Sequence, residues 1–332
     1  MADVVVTGAA GFIGSAVVRL LLEQGRSVRC ILEPGGDASN LEGLDVERVV
    51  CDVCEFEAMR KALDGSPTLY HLAAIYKTWL DDETTIWRVN VEGTTATLLA
   101  ARAAGVKRVV YTSSIAAIGW KEGGLASEAT TFNLFDIANP YIQSKWLSER
   151  VALNFAAAGM DVVVVNPAFP FGPGDVAPTP TGNIVRGVLS RQVRGWGSGG
   201  FCAIDVEDCA RGHLLAEERG VRGERYILGN HNVTYRDFFA LVAQVAGVPA
   251  PTLPIPNAVT AGVAYAAEKW ADHISRKEPI GTYKSVKYAQ REIFFSNEKA
   301  RRDLGLPTRP LEETVARAVA WFRDGFEARA RS

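Results

Sequence analysis

The chain has 332 residues, of which 48% are hydrophobic, and its formal net charge is −2. This length allows a large buried core in one unit or two lobes, and the near-neutral charge argues against nucleic acid as a partner. No basic and apolar leader precedes the first strand, and no uncharged stretch is long enough to cross a bilayer. We therefore expect a cytoplasmic protein without a transmembrane segment.

The most informative feature is a glycine-rich turn near the start of the chain. A β-branched run at residues 4–6 leads into Gly8, Gly11 and Gly14, and a helical pattern follows at once. Glycines at this spacing allow a tight turn, a close approach of the backbone to a pyrophosphate, and close packing of helix on strand. The free N–H groups and positive dipole end of the helix favour phosphate. The pattern predicts a dinucleotide-binding site.

Strand and helix signals alternate through residues 1–166. The predicted strands are residues 4–6, 28–32, 46–51, 69–73, 108–113 and 162–166. The predicted helices are residues 15–24, 55–63, 89–104 and 141–158, and each is followed by a glycine suited to a left-handed cap. Repeated βα units predict an α/β fold with a doubly wound parallel Rossmann sheet, in which ligands bind at the carboxyl ends of the strands.

The pattern changes after residue 166. Prolines and glycines are frequent through residues 167–200, which indicates a loop-rich segment that binds a ligand rather than a simple linker. We predict a Rossmann domain over residues 1–166 with a returning segment near 201–230, and a smaller, mainly substrate-binding C-terminal lobe over residues 167–332. Within this lobe we predict strands at 201–206 and 225–228 and an amphipathic helix at 311–326. A further Ala-rich helix at 253–277 either packs or touches a membrane surface.

The candidate catalytic residues follow the fifth predicted strand. Tyr141 and Lys145 are four residues apart and share a helix face, and Ser113 and Ser114 end the strand. An ammonium group beside a phenol favours the phenolate, so we expect Lys145 to lower the pKa of Tyr141. Tyr141 can then exchange a proton with a substrate hydroxyl while a hydride moves, and a serine hydroxyl can hold the same oxygen.

Two other groups are interpreted as structural. Cys51 and Cys54 form a C-x-x-C pair, but no second pair or histidine pair at ligand spacing follows, so we predict no metal site. Cys202 and Cys209 are predicted to be small core residues. His71 ends a predicted buried strand, and we interpret it as a packed histidine rather than a base.

The ordered motifs resemble the extended short-chain dehydrogenase/reductases, the NAD-dependent epimerase/dehydratase family, over almost the whole chain. They are TGAAGFIG, Cys51-Asp52-Val53, the stretch from His71 to Ala74, VNVEGT at 89–94, YTSSIAAIG, YIQSK and NPAFPFGPGD. The segments DVAPTPTGN and GERYILGNHNVT are similar to the hopanoid-associated sugar epimerase group, which is close to dihydroflavonol reductases and 3β-hydroxysteroid dehydrogenases.

This resemblance implies roles for individual residues. Tyr141 would be the acid/base, Lys145 would also bind the nicotinamide ribose, and counting back from Gly119 favours Ser114 over Ser113 as the catalytic serine. Asn90 would brace the neighbouring strand or relay protons. The residues implied in cofactor binding are Gly8, Gly11, Phe12, Ile13, Gly14, Glu33, Asp52, Val53, Ala73, Ala74, Asn90, Tyr141, Lys145 and Pro167. The resemblance also implies a homodimer through the helices at 89–104 and 141–158.

The choice between NAD and NADP depends on the end of the second strand. An acidic residue there binds the ribose hydroxyls and repels a 2′-phosphate, whereas an arginine attracts it. Many relatives in this branch have arginine where this chain has Glu33, so we favour NAD over NADP. Arg29 weakens this only slightly.

Two enzymatic functions and one binding function remain open. The first is oxidation or reduction of a secondary alcohol or ketone on an apolar small molecule, and the second is NAD-retaining epimerisation of a nucleotide sugar. Arginines could bind the sugar's diphosphate, and the candidates are Arg191, Arg194, Arg211 and Arg291. An apolar substrate would instead contact aromatic residues, with candidates Tyr76, Phe169, Phe171, Trp196 and Phe201, together with Ile75 and Trp79. A cofactor-sensing protein without catalysis is disfavoured because serine, tyrosine and lysine are all present.

Overall fold

The computed structural model describes residues 2–329, so Met1 and residues 330–332 of the predicted C-terminal lobe lie outside the described residues. The strands, in chain order, are β1 (Val4–Thr7), β2 (Val28–Leu32), β3 (Glu47–Val50), β4 (Thr68–His71), β5 (Arg108–Thr112), β6 (Val162–Pro167), β7 (Phe169–Phe171), β8 (Gly195–Trp196), β9 (Gly200–Asp205), β10 (Arg225–Leu228), β11 (His231–Thr234), β12 (Leu253–Pro254) and β13 (Glu292–Ile293).

The α-helices, in chain order, are α1 (Phe12–Glu23), α2 (Phe56–Leu63), α3 (Thr84–Trp87), α4 (Gly93–Ala103), α5 (Pro140–Ala157), α6 (Pro180–Leu189), α7 (Val206–Arg219), α8 (Tyr235–Ala246), α9 (Asn257–Trp270), α10 (Tyr283–Ala289) and α11 (Leu311–Arg329). A π-helical turn at Arg88–Glu92 joins α3 to α4, so that the predicted helix at 89–104 begins earlier than expected.

The central sheet confirms the predicted Rossmann architecture. In the described part of the chain it has seven parallel strands in the order β10-β6-β5-β4-β1-β2-β3. The chain reverses direction across the sheet beside β1, and this is where ligands bind in doubly wound folds. The carboxyl ends of β1, β4 and β5 therefore lie side by side, and the glycine turn and the catalytic candidates lie at one edge.

Helices cover both faces of this sheet. Alternate residues of β1 enter different cores: Val4 and Val6 join a cluster with α1 and α7, whereas Val5 joins one with α2, α4 and α5. Such burial on both faces explains why the strand sequences are uniformly apolar. The exception is β3, which forms the sheet edge, and Val50 on it is exposed.

The segment after β7 divides between the two lobes. β10 pairs with β6 and α7 packs on α1, so residues 206–228 complete the Rossmann sheet. β9 instead joins a second sheet with β7, β11 and β13. Phenylalanines of this sheet pack with α6, α8 and α11 in a separate hydrophobic core.

The Ala-rich stretch at 253–277 differs from the single helix that its sequence suggests. Residues 253–254 pair with β8, and α9 begins only after Pro256. A π-helical turn at Ala271–Ser275 then ends the helix, with Arg276 in the left-handed conformation. Among residues 2–329, no helix has the length and apolar character needed to cross a membrane.

Candidate active site

The glycine turn after β1 is shaped by close backbone contacts. Gly8 has φ +64°, and a Cβ there would lie 2.8 Å from the Ala73 nitrogen. A Cβ on Gly14 would lie 2.1 Å from the Gly8 carbonyl oxygen, so α1 packs against the turn only because both residues are glycine. Gly11 caps α1 without a side-chain hydrogen bond, and no acidic residue occupies the first turn. The Gly11 N–H donates to the Gly8 carbonyl at 3.0 Å and closes the turn. The residues fit a dinucleotide, since Phe12 and Ile13 in the first turn of α1 can direct backbone N–H groups at its phosphates.

The other predicted cofactor residues follow neighbouring strands at the same edge of the sheet. Glu33 follows β2, Asp52 and Val53 follow β3, Ala73 and Ala74 follow β4, and Pro167 ends β6. The Asp52 carboxylate already has protein partners, because it accepts the Cys54 N–H and pairs with Arg88. Arg29 also has protein partners: it pairs with Glu47 and donates to the carbonyls of Ala62 and Asp64.

His71 is part of a buried hydrogen-bond chain that fixes the turns after β1 and β4. The Thr94 hydroxyl donates to the Asn90 carbonyl, so it accepts from His71 Nε2–H at 3.3 Å. His71 Nδ1 then accepts from the Thr7 hydroxyl at 2.8 Å, and this hydroxyl accepts the Ala73 N–H. Burial lowers the pKa of His71 to about 3, so the ring is neutral and serves packing.

Asn90 lies in the π-helical turn and holds the segment after β4. Its Oδ1 accepts the Ile75 N–H at 2.7 Å, and its Nδ2 donates to the Ile75 carbonyl and to Ser144 Oγ, both at 2.9 Å. The side chain thus ties the chain beyond β4 to α5. This geometry is that of a brace, which was one of the two roles that the resemblance implied.

The structure brings Ser114 and Tyr141 together. Asn139 caps α5 by accepting the Ile142 N–H, and Tyr141 lies in the first turn of this helix. Ser114 Oγ accepts the Ala116 N–H at 3.1 Å, and its hydroxyl is close enough to the Tyr141 phenol to lower the pKa of Tyr141. Ser113, in contrast, is buried with a hydroxyl that has no partner.

The expected lowering of the Tyr141 pKa was wrong for this geometry. Burial raises the pKa of Tyr141, and the nearby Ser114 hydroxyl opposes the rise. Lys145 Nζ donates instead to the Thr112 carbonyl at 2.8 Å and lies 5.5 Å from the centre of the Tyr111 ring. The ammonium is directed at the end of β5, and burial lowers its own pKa to about 8.

A buried ionic network lies next to Ser114 and Lys145, and it was not predicted from the sequence. Glu149 is fully buried on α5, one turn beyond Lys145, and pairs with Arg225 of β10 at 2.7 Å. The Asn166 amide donates both to Glu149, at 2.6 Å, and to the Ser114 carbonyl, at 2.9 Å. Glu149 therefore reaches Ser114 through one side chain, and its charge raises the pKa of Lys145 against the effect of burial. The spacing Tyr141, Lys145, Glu149 on one helix face was the available signal.

The aromatic candidates for substrate contact separate into two groups. Phe171 and Phe201 are fully buried and pack on Phe238 in the core of the C-terminal lobe, so their predicted contact with substrate was wrong. Tyr76 is exposed, and Phe169 and Trp196 are partly buried. Trp79 donates its indole N–H to Asp272.

Two of the four arginine candidates are paired with carboxylates, and both cysteines have raised thiol pKa values. Arg211 pairs with Glu207, and Arg291 pairs with Asp136 and stacks on Trp120. Burial raises the pKa of the Cys51 thiol and raises that of Cys54 to about 11, so both are protonated at neutral pH. Arg191 and Arg194 are exposed.

Comparison with known proteins supports the same architecture. A family model described as the NAD dependent epimerase/dehydratase family matches residues 4–229. A putative dihydroflavonol 4-reductase from Synechocystis is 39% identical over 96% of this chain and 94% of its own. Sterol demethylase protein B from Methylococcus capsulatus is 34% identical over 96% of this chain and 98% of its own. The crystal structure of gox2253 is 37% identical, covers 98% of this chain and 99% of its own, and superposes with a TM-score of 0.87.

The buried network predicts how Lys145 titrates. We expect its ammonium to lose a proton near pH 8, and Glu149→Gln to move this midpoint to lower pH because a negative charge that favours the ammonium is removed. The measurement is the pH dependence of the Lys145 ¹³Cε chemical shift, assigned with Lys145→Arg.

Glu217→Gln is the matched control, because Glu217 is a largely buried carboxylate that pairs with Arg26 and Tyr70 away from the site. It should leave the Lys145 midpoint unchanged. An equal midpoint in Glu149→Gln and the wild type would contradict the assigned role.

Proposed function

We propose, from the premise that this chain belongs to the NAD-dependent epimerase/dehydratase family, that it is an NAD(P)-dependent oxidoreductase acting on a secondary alcohol or ketone. The observation that carries this proposal is that Ser114 lies beside Tyr141, with Lys145 one helical turn away, at the edge of the sheet that holds the glycine turn. The bound nicotinamide would supply the hydride-transfer chemistry of this site.

Tyr141 would supply or remove the proton. Because its pKa is raised, the phenol is protonated at neutral pH and suits donation to the oxygen of a ketone as that oxygen becomes an alcohol. The Ser114 hydroxyl, positioned by the Ala116 N–H and by Asn166, would hold the same oxygen. Lys145, whose ammonium is held by the Thr112 carbonyl, would bind the nicotinamide ribose, as the family resemblance implies. Oxidation needs the phenolate, so its rate should rise with pH.

We favour an apolar substrate over a nucleotide sugar. Tyr76, Phe169 and Trp196 offer aromatic surface in or near the predicted substrate segment, while two of the four arginines considered for a diphosphate are paired with carboxylates. The curated relatives whose names describe a reductase and a sterol demethylase protein are in keeping with a lipid, steroid or aromatic ketone. NAD-retaining epimerisation is the alternative, and exposed Arg194, two residues before Trp196, is the observation that favours it.

The state of the cofactor in the freshly purified protein separates the two. We expect little nucleotide to be released on denaturation, and reversible binding of added NAD(H), because a dehydrogenase exchanges its cofactor in every turnover. Mass spectrometry and absorbance of the released nucleotide are the measurements. Stoichiometric NAD that survives purification would favour the epimerase.

Replacing Tyr141 tests the catalytic assignment. Tyr141→Phe removes the exchangeable proton and leaves the ring, so turnover should fall by roughly 10²-fold or more while cofactor affinity stays near the wild-type value. Ser113→Ala is the matched control, because that neighbouring hydroxyl is buried and makes no hydrogen bond. Retained turnover in Tyr141→Phe would move the acid/base role to another residue.

We further propose that NAD is preferred over NADP. Glu33 lies at the carboxyl end of β2, and Arg29, the nearest arginine on that strand, is held by Glu47 and by backbone carbonyls. Glu33→Arg should raise the affinity for NADP relative to NAD by roughly tenfold, because it replaces a repulsive charge with an attractive one at the 2′-phosphate. Fluorescence titration with both reduced cofactors measures the ratio. An unchanged ratio would show that Glu33 does not contact the ribose.

A further inference from the structure

Two tyrosines of the C-terminal lobe have hydroxyls without a protein partner. Tyr235 begins α8 and Tyr288 lies in the last turn of α10, and both are partly buried. In the described part of the chain neither hydroxyl makes a hydrogen bond, and neither is among the buried polar atoms that lack one. In contrast, the fully buried Tyr70, Tyr111 and Tyr226 each have a partner for the hydroxyl. The hydroxyls of the first two therefore reach open space.

The contacts of α10 place Tyr288 near the catalytic candidate Tyr141. Asn139, the cap of α5, donates to Ser285 Oγ at 3.0 Å. Tyr288 follows Ser285 by three residues, so both lie on the face of α10 that turns to the start of α5. Tyr288 and Tyr141 also pack against the same apolar cluster, which contains Ile142. The two tyrosines thus border one region.

Tyr235 reaches this region from the C-terminal lobe. Its backbone N–H donates to the Gly199 carbonyl at 3.2 Å. A Cβ on Gly199 would lie 2.2 Å from the Ala289 carbonyl oxygen, so the start of α8 and the end of α10 meet at this turn. The Tyr235 ring is 5.2 Å from that of Phe201, which is 4.9 Å from the partly buried Phe169. Aromatic surface therefore adjoins the free hydroxyls.

The protonation of these phenols decides which groups they can recognise. Burial raises the pKa of Tyr288, and the charges that Tyr235 and Tyr141 would carry as phenolates raise it further. Burial also raises the pKa of Tyr235 to about 12. Both phenols are therefore neutral at physiological pH, and each can donate one hydrogen bond and accept another.

The arginines that follow these tyrosines in sequence have other partners. Arg236 stacks on Trp196, with 5.6 Å from its guanidinium carbon to the ring centre. Arg291 pairs with Asp136 and stacks on Trp120. Neither arginine is left to neutralise an anion beside the phenols, so the chemistry of this region suits a neutral oxygen.

We propose that Tyr288 and Tyr235 form a second polar subsite, in which their hydroxyls hydrogen-bond a neutral hydroxyl or carbonyl oxygen that the substrate carries away from its reacting carbon. This inference rests on the proposed function, in which Tyr141 and Ser114 hold the reacting oxygen. It narrows the substrate class to an apolar ketone or alcohol with a second oxygen. Phe169 would contact the apolar skeleton between the two polar ends.

Two pairs of aromatic ketones test the subsite by binding alone. One pair is 1-tetralone and 6-hydroxy-1-tetralone, and the other is 4-phenylbutan-2-one and 4-(4-hydroxyphenyl)butan-2-one. Calorimetric titration of the full chain with oxidised NAD present measures affinity without turnover, because no hydride is then available to the ketone. In at least one pair the hydroxylated ketone should bind roughly three- to tenfold more tightly, as expected for one added hydrogen bond.

Tyr288→Phe and Tyr235→Phe should each reduce this preference for the hydroxylated ketone. The affinity for the ketone without the hydroxyl should stay within about twofold of the wild-type value, because the ring is retained. The midpoint of thermal unfolding should not change, since neither hydroxyl makes a hydrogen bond within the described protein. A residue with a purely structural role would not alter the ratio of the two affinities.

Tyr265→Phe is the matched control. Tyr265 is exposed on α9, and its ring packs edge-on against Tyr283 at the start of α10. Its removal of a phenol beside the same helix, but outside the region near Tyr141, should leave the preference at the wild-type value.

Equal affinities within both pairs in the wild type, or a preference that both tyrosine variants keep, would overturn the subsite. Failure of the proposed function is a separate result, because it is measured as turnover retained in Tyr141→Phe. The titrations contain no turnover, so the two failures can be told apart.

Discussion

The organisation of the site depends on one close backbone approach. The glycine turn after β1 touches the chain that leaves β4, at Gly8 and Ala73, and touches its own following helix at Gly14. No side chain larger than hydrogen fits at Gly8 or Gly14, so the helix N-terminus is held at the sheet edge with its N–H groups directed outward. Thr7 and His71 then hold the same two turns together by hydrogen bonds. The turns after β1 and β4 are consequently held together as one unit.

A second coupling connects this edge to the far side of the sheet. Asn166 ends β6 and reaches both Ser114 and Glu149, while Arg225 brings in β10. The late strand β10 therefore contributes to the position of Ser114, although it lies more than a hundred residues away in sequence. The chain returns to the Rossmann sheet at β10 after two of the four strands of the second sheet, β7 and β9.

The sequence predicts the repeated units better than it predicts contacts between them. Periodicity, glycine caps and the order of motifs were sufficient to predict the βα alternation and the helix that carries Tyr141 and Lys145, because each depends on local spacing. The surroundings of Phe171 and Phe201 depend on α8, whose position is set by tertiary packing. An apolar residue in the sequence is equally compatible with a pocket wall and with a buried core. The pKa of Tyr141 depends on where the Lys145 amine points. The amine donates to the backbone carbonyl of Thr112, and a backbone group cannot be recognised from the sequence. The spacing places Glu149 on the same helix face as Tyr141 and Lys145, but the sequence does not indicate that Glu149 is buried.

Burying the charged groups of Lys145 and Glu149 on one helix face costs free energy of folding, and this cost bears on why the two residues are there. A buried ion pair gives little net stability, and apolar side chains of similar volume would often pack as well. Lys145 is not paired directly with Glu149, since its amine donates to a carbonyl while Glu149 pairs with Arg225. Their separation leaves the ammonium directed at the end of β5, where Ser114 and Tyr141 meet, with a carboxylate behind it that keeps it charged near neutral pH. The arrangement is therefore not explained by stability alone, and it is in keeping with the proton chemistry proposed for this site.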